Sequence, residues 1–279
     1  VAIGRLERYL GDMAIREGWT ARPDIVPNGK RVGIVGSGPA GIACAADMAK
    51  AGCEVTVFEA LHKPGGVLRY GVVFYRFDLD FLEHEMEDIK ALGVEFKCNT
   101  PIEGQNAAEK LLKDGFDAVF LAPGLWDAAT LKPEGKNIDG LFSSVDYLEA
   151  LSDERFKQME KKLKDKTVAV IGGGSVVMDC IESAVRLDAK DVYLIYRRSY
   201  SQMPAEPDER IEAQEAGVHF LLLNQPVDYV TDKKNQLKGL KLVRTRLGEP
   251  DESGRRRPLE IKGSEWVMDA DIVIEAIGN

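Results

Sequence analysis

Residues that build metal centres are scarce in this sequence. Its four cysteines, Cys44, Cys53, Cys98 and Cys180, form no C-x-x-C pair. That spacing excludes a locally encoded zinc or iron–sulfur site. Scattered thiols of this kind fit a reducing, cytoplasmic setting. The three histidines, His62, His84 and His219, lie far apart and show neither metal nor triad spacing. No apolar run approaches the roughly 20 residues needed to span a bilayer. Val1 to Ile25 is mixed and charged, so it lacks the apolar core of a secretory signal. Positive charge is also short. A net charge of −9 argues against nucleic acid or an anionic membrane as partner.

Glycine is what the sequence has in quantity. There are 27 glycines among 279 residues, and 44% of the chain is hydrophobic, enough for two domains with cores. Two glycine-rich loops each follow an apolar run. Gly36-Ser37-Gly38-Pro39-Ala40-Gly41 follows Val32 to Val35, and Gly172-Gly173-Gly174-Ser175-Val176-Val177 follows Val168 to Ile171. Around each loop the pattern reads strand, loop, helix, strand. The first copy runs through a helix from Ile42 to Ala51 and a strand from Glu54 to Phe58. The second restarts at Thr167 and has its next strand at Val192 to Tyr196.

The remaining periodicities predict helices over 3–17, 78–92, 107–112, 144–151 and 208–216. They predict strands at 94–96, 219–223 and 270–277, and a buried strand at 117–122. Leu237 to Val243 and Glu260 to Trp266 are expected to pair as a hairpin around an exposed polar turn, Arg244 to Pro258. The fold class is therefore α/β, with two Rossmann-like dinucleotide-binding domains formed by internal duplication. A helical segment is placed over 1–30, the first nucleotide domain over 31–140 and the second over 141–279. The crossover between them contains Pro133, Gly135 and Gly140.

The loops bind phosphate by a known division of labour. Gly36 permits the tight turn, Gly38 lets pyrophosphate approach the backbone, and Gly41 lets helix and strand pack closely. The helix starting near Pro39 and Ala40 offers free N–H groups and the positive end of its dipole. Glu59 ends the next strand, roughly 20 residues past the loop, where an acid accepts hydrogen bonds from a ribose diol. The pair Gly65-Gly66, with Leu68 beyond it, brings backbone close to a second part of the ligand, a pattern that separates FAD from NAD sites.

In the second loop Gly172, Gly174, Ser175 and Val176 take the phosphate positions, and Val177 replaces the third glycine. Arg197 and Arg198 stand past its second strand, where the first copy has an acid. Their planar forks suit a 2′-phosphate and favour NADP over NAD, the alternative being a solvated ion-paired cluster. Asp179 would oppose a nearby phosphate. It is expected to face away or to meet the nicotinamide half.

Taken together, these loops, Gly65-Gly66-Val67-Leu68-Arg69-Tyr70-Gly71, and Tyr196-Arg197-Arg198-Ser199 with Met203-Pro204-Ala205 resemble the glutamate synthase small (beta) subunit family. That family includes the matching modules of dihydropyrimidine dehydrogenase and of NADH-dependent ferredoxin:NADP oxidoreductase. The resemblance implies FAD in the first domain, held by Gly36, Gly38, Pro39, Ala40, Gly41, Glu59, Gly65, Gly66 and Leu68. It implies NADPH in the second, held by Gly172, Gly174, Ser175, Val176, Arg197 and Arg198. Ala276-Ile277-Gly278 resembles the family's return crossover beside the nicotinamide.

The NADP domain is then inserted into the FAD domain. The resemblance further implies that hydride passes from NADPH to FAD and that electrons leave singly to an iron–sulfur domain or subunit, such as a glutamate synthase large subunit or a ferredoxin-like protein. No catalytic residue is named, because the cofactors carry the chemistry.

Departures from the family pattern bear on this. Val72 to Asp78 lacks both prolines of the family's corresponding run, and Ser175 and Val177 replace Asn and Ala. The FAD domain is expected to be incomplete at its C-terminus, as a piece of a larger protein would be. The competing reading is a non-catalytic nucleotide-binding or scaffold module of a larger redox complex. A flavin monooxygenase or amine oxidase would share the first motif but leaves Arg197 and Arg198 unexplained. A disulfide reductase would need a paired thiol that the sequence lacks.

Overall fold

A computed structural model describes residues 2–19, 23–73, 75–127, 129–131, 137–152, 155–252 and 254–278. Phe74 of the altered run, and Pro133 and Gly135 of the crossover, lie outside the described residues. The chain divides into two compact units, Val1–Gly124 and Leu125–Asn279.

The first unit runs α1 (Ile3–Arg16), β1 (Arg31–Val35), α2 (Pro39–Lys50), β2 (Glu54–Phe58), α3 (Val67–Tyr70), α4 (Leu79–Ala91), β3 (Glu95–Lys97), α5 (Ala107–Lys113) and β4 (Ala118–Leu121). Its sheet is parallel in the order β3-β2-β1-β4. Strands β1 and β2 are near-continuous apolar runs because both faces are covered. On one face Ile34 and Val57 pack with Ile42 and Ala45 of α2 and with Leu82, Met86 and Ile89 of α4. On the other Phe58 meets Leu111 and Phe116. Burying a side chain such as Met86 contributes roughly 1.5–3 kcal/mol. Asp78 starts α4 as its N-cap by accepting from the Asp80 amide at 3.0 Å.

Strand β4 is not the buried strand expected of its apolar sequence. It lies at the sheet edge with only β1 beside it, and Leu121 is 58% exposed.

The second unit contains β5 (Leu141–Ser143), α6 (Ser144–Leu151), α7 (Phe156–Leu163), β6 (Thr167–Ile171), α8 (Ser175–Arg186), β7 (Asp191–Tyr196), α9 (Pro207–Glu215) and β8 (His219–Leu222). It continues with β9 (Asn224–Thr231), β10 (Leu237–Pro250), β11 (Arg256–Glu260), β12 (Trp266–Asp269) and β13 (Ile272–Glu275). Five strands form a parallel sheet in the order β5-β13-β6-β7-β8. The boundary between the two compact units lies between Gly124 and Leu125. Ile138 belongs to the second unit's core, and Asp139 exchanges backbone bonds with Asn235 and Leu237.

An antiparallel sheet packs over the parallel one. Strand β10 pairs with β9, β12 and β11 along its length. Its Leu240 and Leu242 join Ala169, Ile195 and Val273 in one core. Arg244 to Pro258 is accordingly not an exposed turn. Most of it is the continuation of β10 and the start of β11, and the turn itself is confined to 251–255.

Candidate nucleotide sites

The two glycine loops are built alike. In the first, the Gly36 amide donates to the Phe58 carbonyl at 2.8 Å, and the Ala122 amide donates to the Val35 carbonyl at 2.8 Å. In the second, the Gly172 amide donates to the Ile195 carbonyl at 3.0 Å, and the Ala276 amide donates to the Ile171 carbonyl at 2.9 Å. Each loop is thus wedged between the next strand and the residue just past its sheet's last strand in sequence. Gly36 (φ 95°) and Gly172 (φ 140°) hold backbone conformations that side-chained residues rarely adopt. A Cβ on either would lie 2.2 Å from the carbonyl oxygen of Ala122 or Ala276 respectively.

The next glycines behave differently. A Cβ on Gly38 would meet nothing nearer than 4.0 Å, and one on Gly174 nothing within 4 Å. Both are N-caps, of α2 and α8, and neither helix has a side-chain cap. Open space therefore stands before uncapped helix N-termini at the two positions where the motif brings pyrophosphate to the backbone. The residues present fit a dinucleotide in each unit. Third positions also match their sequence. A Cβ on Gly41 would lie 2.0 Å from the Gly36 carbonyl oxygen, whereas Val177 is fully buried over Gly172.

Around the first loop the sequence-predicted residues come together through Ser37. Its hydroxyl donates to the buried Glu59 carboxylate, and its amide donates to Glu59 Oε2 at 3.0 Å. The Gly65 amide donates to Ser37 Oγ at 3.0 Å. A Cβ on Gly66 would lie 2.5 Å from Gly38 Cα, so the two glycine segments interlock. Glu59 Oε1 also accepts from the Leu61 amide at 2.8 Å. Three of the roughly four acceptor positions of the carboxylate are thus taken by protein. Glu59 is a strut of the loop before it is a ribose acceptor. Pro39 and Ala40 open α2 and are exposed, and Leu68 packs against the core.

In the second unit, all of the residues expected to hold nucleotide border one cleft of about 650 Å³. The loop Gly172 to Val176 forms one end. Arg197 and Arg198 stand past β7, and Ala276 and Gly278 past β13. Asp179 does not line it. The Ser175 hydroxyl donates to Glu209 at 2.8 Å, which puts a carboxylate of α9 beside the loop.

Arg197 is exposed, whereas Arg198 is 7% exposed and donates from Nε to the Arg256 carbonyl at 3.0 Å. Burial makes the two arginines unequal, which their adjacency in sequence did not reveal.

Three further residues shape this cleft without having been expected to. Gly173 lies flat on the Tyr196 ring; a Cβ there would be 2.6 Å from Tyr196 Cε2. The ring is fixed by its hydroxyl, which donates to the Gln202 carbonyl at 2.7 Å. Glu275 ends β13 and is buried at 2% exposure. It accepts from the Tyr229 hydroxyl and, at 2.8 Å, from the Leu131 amide, and so ties a cleft-lining residue to the sheet. Burial, then the Glu275 carboxylate, push the Tyr229 phenol far above its ordinary pKa, so it stays a donor. An acid directly after the apolar run Ile272-Val273-Ile274 was the signal available in sequence.

Among the described residues no helix is long and apolar enough to cross a membrane, and no group of three or more His, Cys, Asp or Glu is placed to hold a metal.

Comparison with known proteins agrees with this geometry. The family model described as pyridine nucleotide-disulphide oxidoreductase matches residues 30–279. The chain is 43% identical over 255 residues to the NADP(+)-dependent formate dehydrogenase subunit beta of Moorella thermoacetica, covering 91% of the chain and 35% of that protein. It is 37% identical over 291 residues to the glutamate synthase [NADPH] small chain of Escherichia coli, covering 100% and 60%. It therefore spans between about a third and three-fifths of the length of these relatives.

FprA of Mycobacterium tuberculosis, solved in complex with NADPH, has the same fold. Its TM-score is 0.72 at 20% identity, over 91% of this chain and 71% of FprA. Two like-built dinucleotide loops, the family match across both units and the likeness of the whole of this chain to part of the glutamate synthase small chains have one meaning: this chain belongs to the pyridine nucleotide-disulphide oxidoreductases, with the glutamate synthase small subunits and related beta subunits among its relatives.

Proposed function

We propose that the chain is the FAD- and NADPH-binding module of a flavoprotein that oxidises NADPH and delivers electrons to an iron–sulfur partner. The observation that carries this reading is the cleft of the second unit. A glycine loop with open space before an uncapped helix lies at one end, and an exposed arginine, Arg197, lies past the neighbouring strand. FAD would be held by Gly36, Gly38, Pro39, Ala40, Gly41, Glu59, Gly65, Gly66 and Leu68. NADPH would be held by Gly172, Gly174, Ser175, Val176, Arg197 and Arg198, with Ala276 and Gly278 beside its nicotinamide.

When bound, NADPH supplies a hydride and FAD converts two-electron into one-electron chemistry. The chain's own part is binding and orientation. Helix α8 presents amide hydrogens to phosphate, and Arg197 offers a fork for the 2′-phosphate. Glu275 holds Leu131 at the cleft wall. Cytoplasmic residence is compatible with the four free thiols. The names of the relatives, a glutamate synthase small chain and a formate dehydrogenase beta subunit, support a partner subunit that carries the substrate chemistry.

The test is anaerobic titration of the flavin-loaded chain with NADPH and NADH. NADPH should bleach the flavin. Arg197→Ala should weaken NADPH by on the order of 10- to 100-fold with little change for NADH, the size of one charge-assisted contact. Equal weakening of both would remove the 2′-phosphate role. Binding of both nucleotides without flavin reduction would favour the scaffold reading.

A further inference from the structure

The hairpin of β10 and β11 is bolted to the arginine segment that follows β7. The Thr245 hydroxyl, itself buried, donates to the Arg197 carbonyl at 2.8 Å. The Leu223 amide donates to the Arg198 carbonyl at 3.1 Å. Arg198 Nε donates across to the Arg256 carbonyl at 3.0 Å. Strand pairing at Thr245–Glu260, Arg246–Leu259 and Leu247–Pro258 then sets the hairpin's direction, and an irregularity between Leu247 and Pro250 bends it.

Asp251 and Arg255 are bonded to each other twice. The Asp251 amide donates to the Arg255 carbonyl at 3.0 Å, and the Arg255 amide donates to Asp251 Oδ1 at 2.9 Å. Arg256 Nη1 closes the inner side on the Gly248 carbonyl at 3.1 Å. The result is that Arg255, far away in sequence, borders the same cleft as Arg197 and Arg198. Its guanidinium is exposed and makes no hydrogen bond or ion pair with the described residues.

Resting on the NADPH reading above, we propose that Arg255 is a specificity-determining residue that grips the 2′-phosphate opposite Arg197. A phosphate monoester carries about −1.5 to −2 charge near neutral pH, more than one guanidinium balances. Arg198 is buried and has committed its Nε to the hairpin, so a second exposed fork would come from another element. Arg255 supplies it from a backbone already held in place, and little ordering is left to be done on binding. The acidic residues Glu249 at the end of β10 and Asp251 and Glu252 beyond it would otherwise repel a phosphate. Asp251 turns its carboxylate onto the Arg255 amide instead.

Two small probes isolate the contact. Adenosine 2′,5′-bisphosphate and adenosine 5′-monophosphate differ only in the 2′-phosphate. Calorimetric titration of the wild-type chain should show preference for the bisphosphate. Arg255→Ala should weaken the bisphosphate by on the order of 10- to 100-fold while the monophosphate stays within about twofold, and Arg255→Lys should recover part of the loss. If Arg255→Ala leaves both affinities as in the wild type, or weakens both equally, the assignment of Arg255 is overturned while Arg197 keeps its role. If the wild-type chain itself does not distinguish the probes, the NADPH reading falls and the Arg255 assignment with it.

Discussion

Gly174→Ala should separate folding from nucleotide binding. Gly174 is the N-cap of α8, with φ −94° and ψ 178°, a backbone that any residue adopts. The added methyl would have nothing within 4 Å to meet. Two small effects then oppose each other. Alanine is a poorer N-cap than glycine by up to about 1 kcal/mol. Removing a glycine from the unfolded chain stabilises the fold by about 0.4–1 kcal/mol. The net change lies within about 1 kcal/mol, a shift in Tm of no more than about 4 °C. Binding has no such compensation. The methyl stands in the open space before the N–H groups of α8, and losing one charge-assisted bond to phosphate, about 1.5–3 kcal/mol, weakens NADPH by roughly 10- to 150-fold. Calorimetric melting and NADPH titration of the same preparation measure both. A variant that melts more than about 10 °C lower would show the glycine to be required by the fold. One that binds NADPH as tightly as the wild type would show that phosphate does not approach there.

Its neighbour should behave oppositely. Gly173→Ala drives a methyl into the Tyr196 ring and should cost about 1–3 kcal/mol by overpacking. In a Tyr196→Val background most of that cost should vanish, and equal costs in the two backgrounds by urea denaturation would refute the contact.

A third expectation concerns pH. Asp117 accepts from the Arg31 amide at 2.9 Å and from Lys30 Nζ at 2.9 Å. The amide bond first, then Lys30, hold its carboxyl below the ordinary carboxylate range. A depressed folded value means stability that is present above the unfolded pKa and lost as pH falls through the folded one. Asp117→Asn should therefore be less stable than the wild type near neutrality, with the gap closing below about pH 4. A gap that stays constant into acid would refute the ionic part of this contact.

The parallel strands and both loops were legible because their signals are local. An apolar run, a glycine turn and a helix follow one another within a short stretch, and the strands are covered on both faces. What escaped the sequence depends on distant neighbours. Leu121 reads as core, yet β4 has a partner on one side only. Arg246, Glu249 and Arg257 read as a polar turn, yet they belong to a two-stranded ribbon whose exposed positions need no apolar partner. Arg197 and Arg198 are adjacent and alike in sequence. Only the Arg256 carbonyl distinguishes the buried strut from the exposed fork. Glu59 was legible as the acid that follows β2, but its bonds to Ser37 and Leu61 were not, because they depend on how the loop folds over it.

The carbonyls of Ala122 and Ala276 carry a consequence for the order of events in the chain's life. Each glycine loop takes its shape against the residue that follows the last strand of its own sheet. During synthesis from the N-terminus, the first loop has long left the ribosome before Ala122 arrives to brace it, and the second waits likewise for Ala276. Neither nucleotide can find its final site on a nascent unit. Each should bind only after its sheet has closed, and a bound nucleotide would then act as a clasp, holding the last strand in place by mass action.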